Sequence, residues 1–275
     1  MRRLLALSAC LAAGLALGVL GGAFAGDRAH REASATALRG LVDLSHPFNE
    51  RTIYWPTATK FKLTKVAEGE TEGGYFYAAN DFAAAEHGGT HLDSPIHFAR
   101  GGDTADELPL TRLVGRAVVV DVSQRALTNR DYLVRVSDFQ AWERRNGPIP
   151  RRAIVLMRTG FDRYWPNAER YLGTAERGQG AVPKLHFPGL AEDGARWLIR
   201  RRAVKAVGID TASIDFGQST DFLSHRVLGA GNVPVFENVA RLGRLPSRGF
   251  SIVALPMKIE GGTGGPLRII AVLRP

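Results

Sequence analysis

Three histidines and one aspartate lie close together in His87-Gly-Gly-Thr-His91-Leu-Asp93-Ser-Pro-Ile-His97-Phe98. His87 and His91 have the four-residue spacing that stacks side chains on a helix, but Gly88, Gly89 and Pro95 disfavour a helix here. In an extended chain, positions 87, 91, 93 and 97 share parity and leave the same face. Fully extended, the segment would reach about 33 Å, too far for one ion. The chain must therefore bend, and Gly88-Gly89 and Ser94-Pro95 permit it. Two imidazoles and a carboxylate are then offered to one ion, with His97 set slightly apart. Imidazole with carboxylate suits Zn, Mn or Fe(II), and the absence of thiolate argues against a purely structural zinc.

A second pair is weaker on its face. His225, in Phe222-Leu-Ser-His225, precedes Glu237-Asn238 across the turn Gly229-Ala-Gly-Asn-Val-Pro234. By spacing alone, a surface histidine and a glutamate in a helix's first turn are the better explanation of the two. No Gly-x-Ser-x-Gly elbow is present. Gly261-Gly-Thr-Gly-Gly265 lacks the Lys-Ser/Thr of a phosphate loop and reads as a backbone turn near the site. Asp210 and Asp215 read as turn or supporting residues outside the site. Trp55, beside Tyr54 and near Phe48, reads first as a core residue.

Among the elements that must carry these residues, strands outnumber helices. Strands are predicted at 40–45, 60–66 (period two, half-buried), 74–78, 117–122 and 153–157, the last two as buried β-branched runs. Further strands are predicted at 206–209, 250–255 and 267–273. Helices are predicted from a Ser137 cap through Arg145, over 191–201 with Ala195, Leu198 and Ile199 on one face, and over 221–228 stopped by Gly229. No linker divides the chain, which reads as one mixed α/β domain over 39–275.

Residues 1–25 have the pattern of a secretory signal peptide: Arg2-Arg3, an apolar stretch, and Ala23-Phe24-Ala25 as the cleavage signal. The expectation is an exported protein, periplasmic or secreted, with a flexible lead-in at 26–38 and no stable membrane association after cleavage. Cleavage would remove Cys10, the one cysteine, leaving no thiol nucleophile and no disulfide. The net charge of +9 is spread over scattered arginines with no aromatic interleaving, which argues against nucleic-acid binding.

The segment His87-x-Gly-Thr-His91-x-Asp93-x-Pro95-x-His97-Phe98 resembles the signature of the cyclase family of metal-dependent hydrolases, which includes bacterial kynurenine formamidase and isatin hydrolase. Val42-Asp43-Leu44-Ser45-His46-Pro47, Trp55-Pro56, Gly208-Ile-Asp210-Thr211-x-Ser213, the His225/Glu237-Asn238 pair and Leu255–Arg268 extend the resemblance over nearly all of the chain after the leader.

The resemblance implies a swivelling β/β/α-type single domain with a mixed sheet and a homodimer. It implies that His87, His91 and Asp93 hold a first Zn or Mn ion. Asp93, His225 and Glu237 would hold a second, with Asp93 and Glu237 bridging. His97 would be the acid/base, and Trp55 would line the substrate site. The expected activity is hydrolysis of a C–N bond in a small aromatic or cyclic amide. Lyase or dehydratase chemistry on a small carbonyl substrate, and metal-dependent ligand binding without catalysis, are the alternatives. The chemistry agrees: without a serine elbow or a thiol, the nucleophile is best supplied by water acidified from a pKa of about 16 to about 7 by the cation. An imidazole titrating near neutrality could take that proton and return it to the leaving nitrogen.

Overall fold

The computed structural model describes residues 40–273. The expected leader at 1–25, its Cys10 and the lead-in at 26–38 lie outside the described residues. In chain order the strands are β1 Leu41–Asp43, β2 Lys62–Glu70, β3 Phe76–Ala83, β4 His91–Asp93, β5 Val114–Asp121, β6 Leu133–Val134, β7 Ile154–Arg158, β8 Gly189–Leu190, β9 Ala206–Ile209, β10 Val235–Glu237, β11 Phe250–Pro256 and β12 Gly264–Leu273. Seven of them close a ring in the order β4-β10-β9-β7-β5-β11-β12, with β12 pairing back onto β4 and β1 flanking β12. The central strands β5, β7, β9 and β10 are parallel to one another. The remaining ring pairings are antiparallel. The result is the mixed sheet of a single α/β domain, with residues from Val42 onward forming one compact unit.

Strand alternation divides the core in two. Leu92, Val119, Ile154, Leu156, Phe236, Ile252 and Ile269, drawn from the ring strands, pack together inside the barrel. Their neighbours Val118, Val120, Val155, Met157, Val207 and Val235 point outward. There they meet Phe139 and Trp142 of helix Val136–Asn146, Ala195 of helix Glu192–Trp197 and Leu228 of helix Leu223–Ala230. Burial on both faces is why β5 and β7 read as continuous apolar runs.

Several expected boundaries move, each for a local reason. The helix expected from a Ser137 cap starts at Val136, because Asp138 Oδ2 accepts the Arg135 backbone N–H at 2.9 Å and closes the first turn. The helix expected over 191–201 is α-helical only to Trp197 and widens into a π-turn over Leu198–Arg202. Gly229 does not stop the helix after His225, which runs on to Ala230. A Cβ at Gly229 would stand 2.9 Å from the Pro95 carbonyl, so the glycine is there for close approach to the Pro95–His97 turn.

The 60–66 alternation does not mark a half-buried strand. β2 and β3 form a separate two-stranded hairpin, almost wholly exposed on both faces. No helix among the described residues is long and apolar enough to cross a membrane.

Candidate metal centre

The donors meet on the outer face of the β4–β10 pair. Leu92 and Phe236 turn into the barrel, so His91, Asp93 and Glu237 turn out, with Glu237 directly across from His91 in the antiparallel register. His87 enters from the bend before β4. Gly89 has φ of +58°, and a Cβ on Gly88 would collide with the Tyr54 ring at 2.0 Å, so the bend requires both glycines. After β4, Ser94-Pro95 starts the short 3₁₀ turn that ends at His97. His225 arrives from helix Leu223–Ala230.

Asp93 is the hub of the cluster. Its Oδ1 lies 2.6 Å from His87 Nδ1 and 3.1 Å from His91 Nε2, and its Oδ2 lies 3.0 Å from His225 Nε2. Glu237 Oε2 stands 3.4 Å from His91 Nε2, and Oε1 stands 3.2 Å from His225 Nε2. His91, Asp93, His225 and Glu237 are all buried. Ligand atoms of His91, Asp93 and Glu237 lie within 4.8 Å of one another, as do those of His87, Asp93 and His97. The expected ligands are therefore brought together. His97, expected apart, stacks on His87 at 3.9 Å between ring centroids.

His91 and His225 are each aimed by their other nitrogen, as metal-bound histidines usually are. His91 Nδ1 donates to the Gly89 carbonyl at 3.0 Å. His225 Nδ1 donates to Asp215 Oδ2 at 2.7 Å, and the same carboxylate accepts the backbone N–H groups of Ser224 and His225. Asp215, left outside the site in the sequence reading, thus orients a ligand. Asn238 was also missed as a working residue. Its Nδ2 donates to Gly89 O at 2.7 Å and its Oδ1 accepts from Tyr171 Oη at 2.9 Å, tying the glycine bend to the barrel rim. Its φ of 51° is the one local oddity, and it cannot be seen in a sequence.

The electrostatics are those of a cluster that wants positive charge. Burial alone would lower His91, but Asp93 and Glu237 hold it up at about 9. Burial also opposes the charged form of His225, yet Asp215, Asp93 and Glu237 raise it well above an ordinary imidazole. Asp93 resists burial and is held well below the usual carboxylate range by His87 and His91. Glu237 is pushed up by burial and by Asp93. Protons on buried imidazoles occupy the place of a cation, and the all-N/O donor set fits a divalent one.

Above the donors opens a cleft of about 250 Å³. Its walls are apolar and aromatic, including Trp55, Phe98 and Phe222. Trp55 has a foot in both readings: it lines the cleft and packs edge-on against Phe187 of the core at 6.4 Å. Phe222 was missed as a wall residue. Tyr54 is 2% exposed and lines the cleft, whereas Phe48 packs behind the glycine bend against Phe61, outside the residues lining the cleft.

Sequence and structure comparisons place the chain among known proteins. The sequence profile of the cyclase family matches residues 42–216. Isatin hydrolase of Roseibium aggregatum is 31% identical over 222 residues, covering 78% of this chain and 81% of that protein. Kynurenine formamidase of Salinibacter ruber is 31% identical over 240 residues, covering 85% of this chain and 97% of its own. The structure of isatin hydrolase A from Ralstonia solanacearum superposes with a TM-score of 0.78 at 33% identity, covering 88% of this chain and 97% of that one. With a profile match over more than half its length and relatives aligned over most of theirs, this chain belongs to the cyclase family.

Proposed function

We propose that this protein is a metal-dependent hydrolase of the C–N bond in small aromatic or cyclic amides of the arylformamide or isatin kind. The observation that carries this reading is a buried imidazole–carboxylate cluster at the floor of an aromatic cleft. The relatives named isatin hydrolase and kynurenine formamidase support the substrate class. His87, His91 and Asp93 would hold one ion and Asp93, His225 and Glu237 a second, Zn or Mn, with Asp93 common to both sets. A divalent cation there supplies Lewis acidity toward the amide carbonyl and acidifies water to a pKa of about 7.

The chain's own residues do the rest. Trp55, Phe98 and Phe222 hold a flat ring by stacking and by excluding water. Burial pushes the His97 imidazole down to about 4, only partly offset by Asp93, so it is a free base at neutral pH. It takes the proton from attacking water and returns it to the departing nitrogen. Metal analysis of the purified protein, followed by turnover on N-formyl aromatic amines and isatin-type lactams with Zn or Mn added, tests the reading. Released amine or ring-opened acid is expected. Elimination of water would make the protein a lyase, and metal-dependent binding without turnover would make it a ligand-binding protein.

The working form is a homodimer joined through the β2–β3 hairpin. Isolated two-stranded hairpins are marginal in water, yet this one exposes Leu63 at 59%, Phe76 at 61% and Phe82 at 55%. Leu63 and Phe82 are cross-strand neighbours and form one apolar patch. Lys60 and Lys62 stand at the base and Glu70 and Glu72 at the tip, so two hairpins laid antiparallel match tip to base in charge. Sedimentation should show a dimer that weakens with salt and a monomer for the Leu63→Ser/Phe82→Ser double variant. A wild-type monomer would rule the arrangement out.

The protein acts after export. The Arg2-Arg3/apolar/Ala23-Phe24-Ala25 pattern supports this. An intact mass beginning at Gly26 is the expected outcome, and an intact Met1 in a cytosolic fraction would overturn it.

A further inference from the structure

The Gly261-Gly-Thr-Gly-Gly265 segment is not a phosphate loop and takes no part in the chemistry described above, yet it reaches the cluster. Thr263 Oγ1 lies 2.8 Å from His87 Nε2 and 2.5 Å from Glu86 Oε2. The Thr263 backbone N–H donates to the same Glu86 oxygen at 3.0 Å, and the Thr263 carbonyl accepts from Ser94 N at 2.8 Å. The flanking glycines make room for this contact. A Cβ at Gly262 would stand 3.0 Å from Glu86 Oε1, and one at Gly264 would stand 2.6 Å from His87 Cε1 and 2.3 Å from the Leu92 carbonyl. Thr263 is held between the residue before the metal motif and the first residue of it.

We propose that Thr263 and Glu86 are positioning residues that fix the tautomer of His87, so that Nε2 carries the proton and Nδ1 presents a lone pair to the cation. The inference rests on the metal-dependent reading above and adds what prepares its first ligand. It follows from counting protons. A threonine hydroxyl has one to give, and a carboxylate only accepts. Glu86 therefore takes the hydroxyl proton, and Oγ1, its own proton spent, accepts from His87 Nε2–H. The opposite order would leave Glu86 facing an oxygen lone pair at 2.5 Å.

With Nε2 protonated, Nδ1 and Asp93 Oδ1 face each other at 2.6 Å. At that distance the two atoms now make a hydrogen bond, and a cation held between them would take the place of its proton. A carboxylate that orders a histidine ligand directly is a common device. Here the order passes through a hydroxyl, which explains why a threonine stands between glycines.

The test uses Zn²⁺ as the probe on the full protein, the Thr263→Val variant and the Thr263→Ser variant. Valine keeps the shape and loses the acceptor; serine keeps the acceptor. Calorimetric Zn affinity should fall about 10- to 100-fold in Thr263→Val and stay near wild type in Thr263→Ser. Nitrogen-15 spectra of the zinc-loaded wild type should show His87 protonated on Nε2, and that proton signal should broaden or vanish in Thr263→Val. Melting of the metal-free variants separates a folding defect from a binding one. Wild-type affinity in Thr263→Val, or a proton on Nδ1 in the zinc-loaded wild type, overturns the proposal. A wild type that takes up no Zn or Mn overturns the metal reading itself, which is a different failure.

Discussion

Asp93→Ala and His91→Ala should each remove bound metal and hydrolysis together while leaving the barrel folded. Asp93 is expected to be the more damaging. Its two oxygens face His87, His91 and His225, so its loss withdraws a donor from both ion positions at once. The cation is asked to supply several kcal/mol of transition-state stabilisation. Losing it corresponds to a fall of about 10³-fold or more in kcat/KM.

The fold should survive because the donors lie outside the barrel. Leu92 and Phe236, their neighbours in β4 and β10, fill the interior, and neither substitution touches them. Without Asp93, His91 loses the first of the partners that hold it up at about 9, so the stability this pairing gives below pH 6.5, fading toward pH 9, is lost while the barrel interior stays intact. His225→Ala separates one ion from two. If two ions bind, this variant should keep roughly one equivalent, since it leaves His87, His91 and Asp93 in place. Full metal content in either Asp93→Ala or His91→Ala would remove those residues from the ligand set.

How much of this was legible in the sequence depended on strand length and on range. β5, β7 and β9 carry apolar stretches buried on both faces, and β11 and β12 alternate buried with more exposed residues; each announced itself. β4 and β10 have only three residues each, and three of their four outward residues are the polar ligands His91, Asp93 and Glu237. Neither could be seen as a strand, although together they close the barrel and hold the centre. For the same reason, His87, His91, Asp93 and His97 were readable from one bent segment, while His225 and Glu237 were not. Their approach to Asp93 is set by the β4–β10 register and by Gly229 letting its helix close on the Pro95 carbonyl.

The hairpin misled in the opposite direction. Lys60-Phe-Lys-Leu-Thr-Lys-Val66 has the alternation of a half-buried strand, yet among the described residues Leu63 and Val66 stay exposed. Asp215 and Thr263 were hidden more deeply. Each works through a histidine that is distant from it in sequence or in the fold's connectivity, and only side-chain hydrogen bonds reveal them.

His97→Ala should keep metal and lose most turnover, by about 10²- to 10⁴-fold in kcat, if His97 moves the proton. The structure makes this a sharper question than spacing did. His97 stacks on His87 and shares a potential donor group with His87 and Asp93, so it stands close enough to be a ligand as well. Two features favour the proton role. His91, Glu237 and His225 already surround Asp93 with buried donors, and His97 borders the aromatic cleft where the substrate must lie.

The pH profile gives the sign. Burial lowers His97 to about 4, below the 6.5 of a free imidazole, so the base form persists as pH falls through the range where an exposed histidine would already be charged. The acid limb of kcat assigned to His97 should therefore lie below 6.5 in the wild type, with activity lost as pH falls through it, and should be absent in His97→Ala. This corrects the expectation of an imidazole titrating near neutrality. Metal content measured beside kcat on one preparation decides the matter. A metal-replete, slow variant with no such limb supports proton transfer. A metal-depleted variant whose activity returns with excess Zn or Mn makes His97 a ligand, and the proton must then be carried by another group in the cleft.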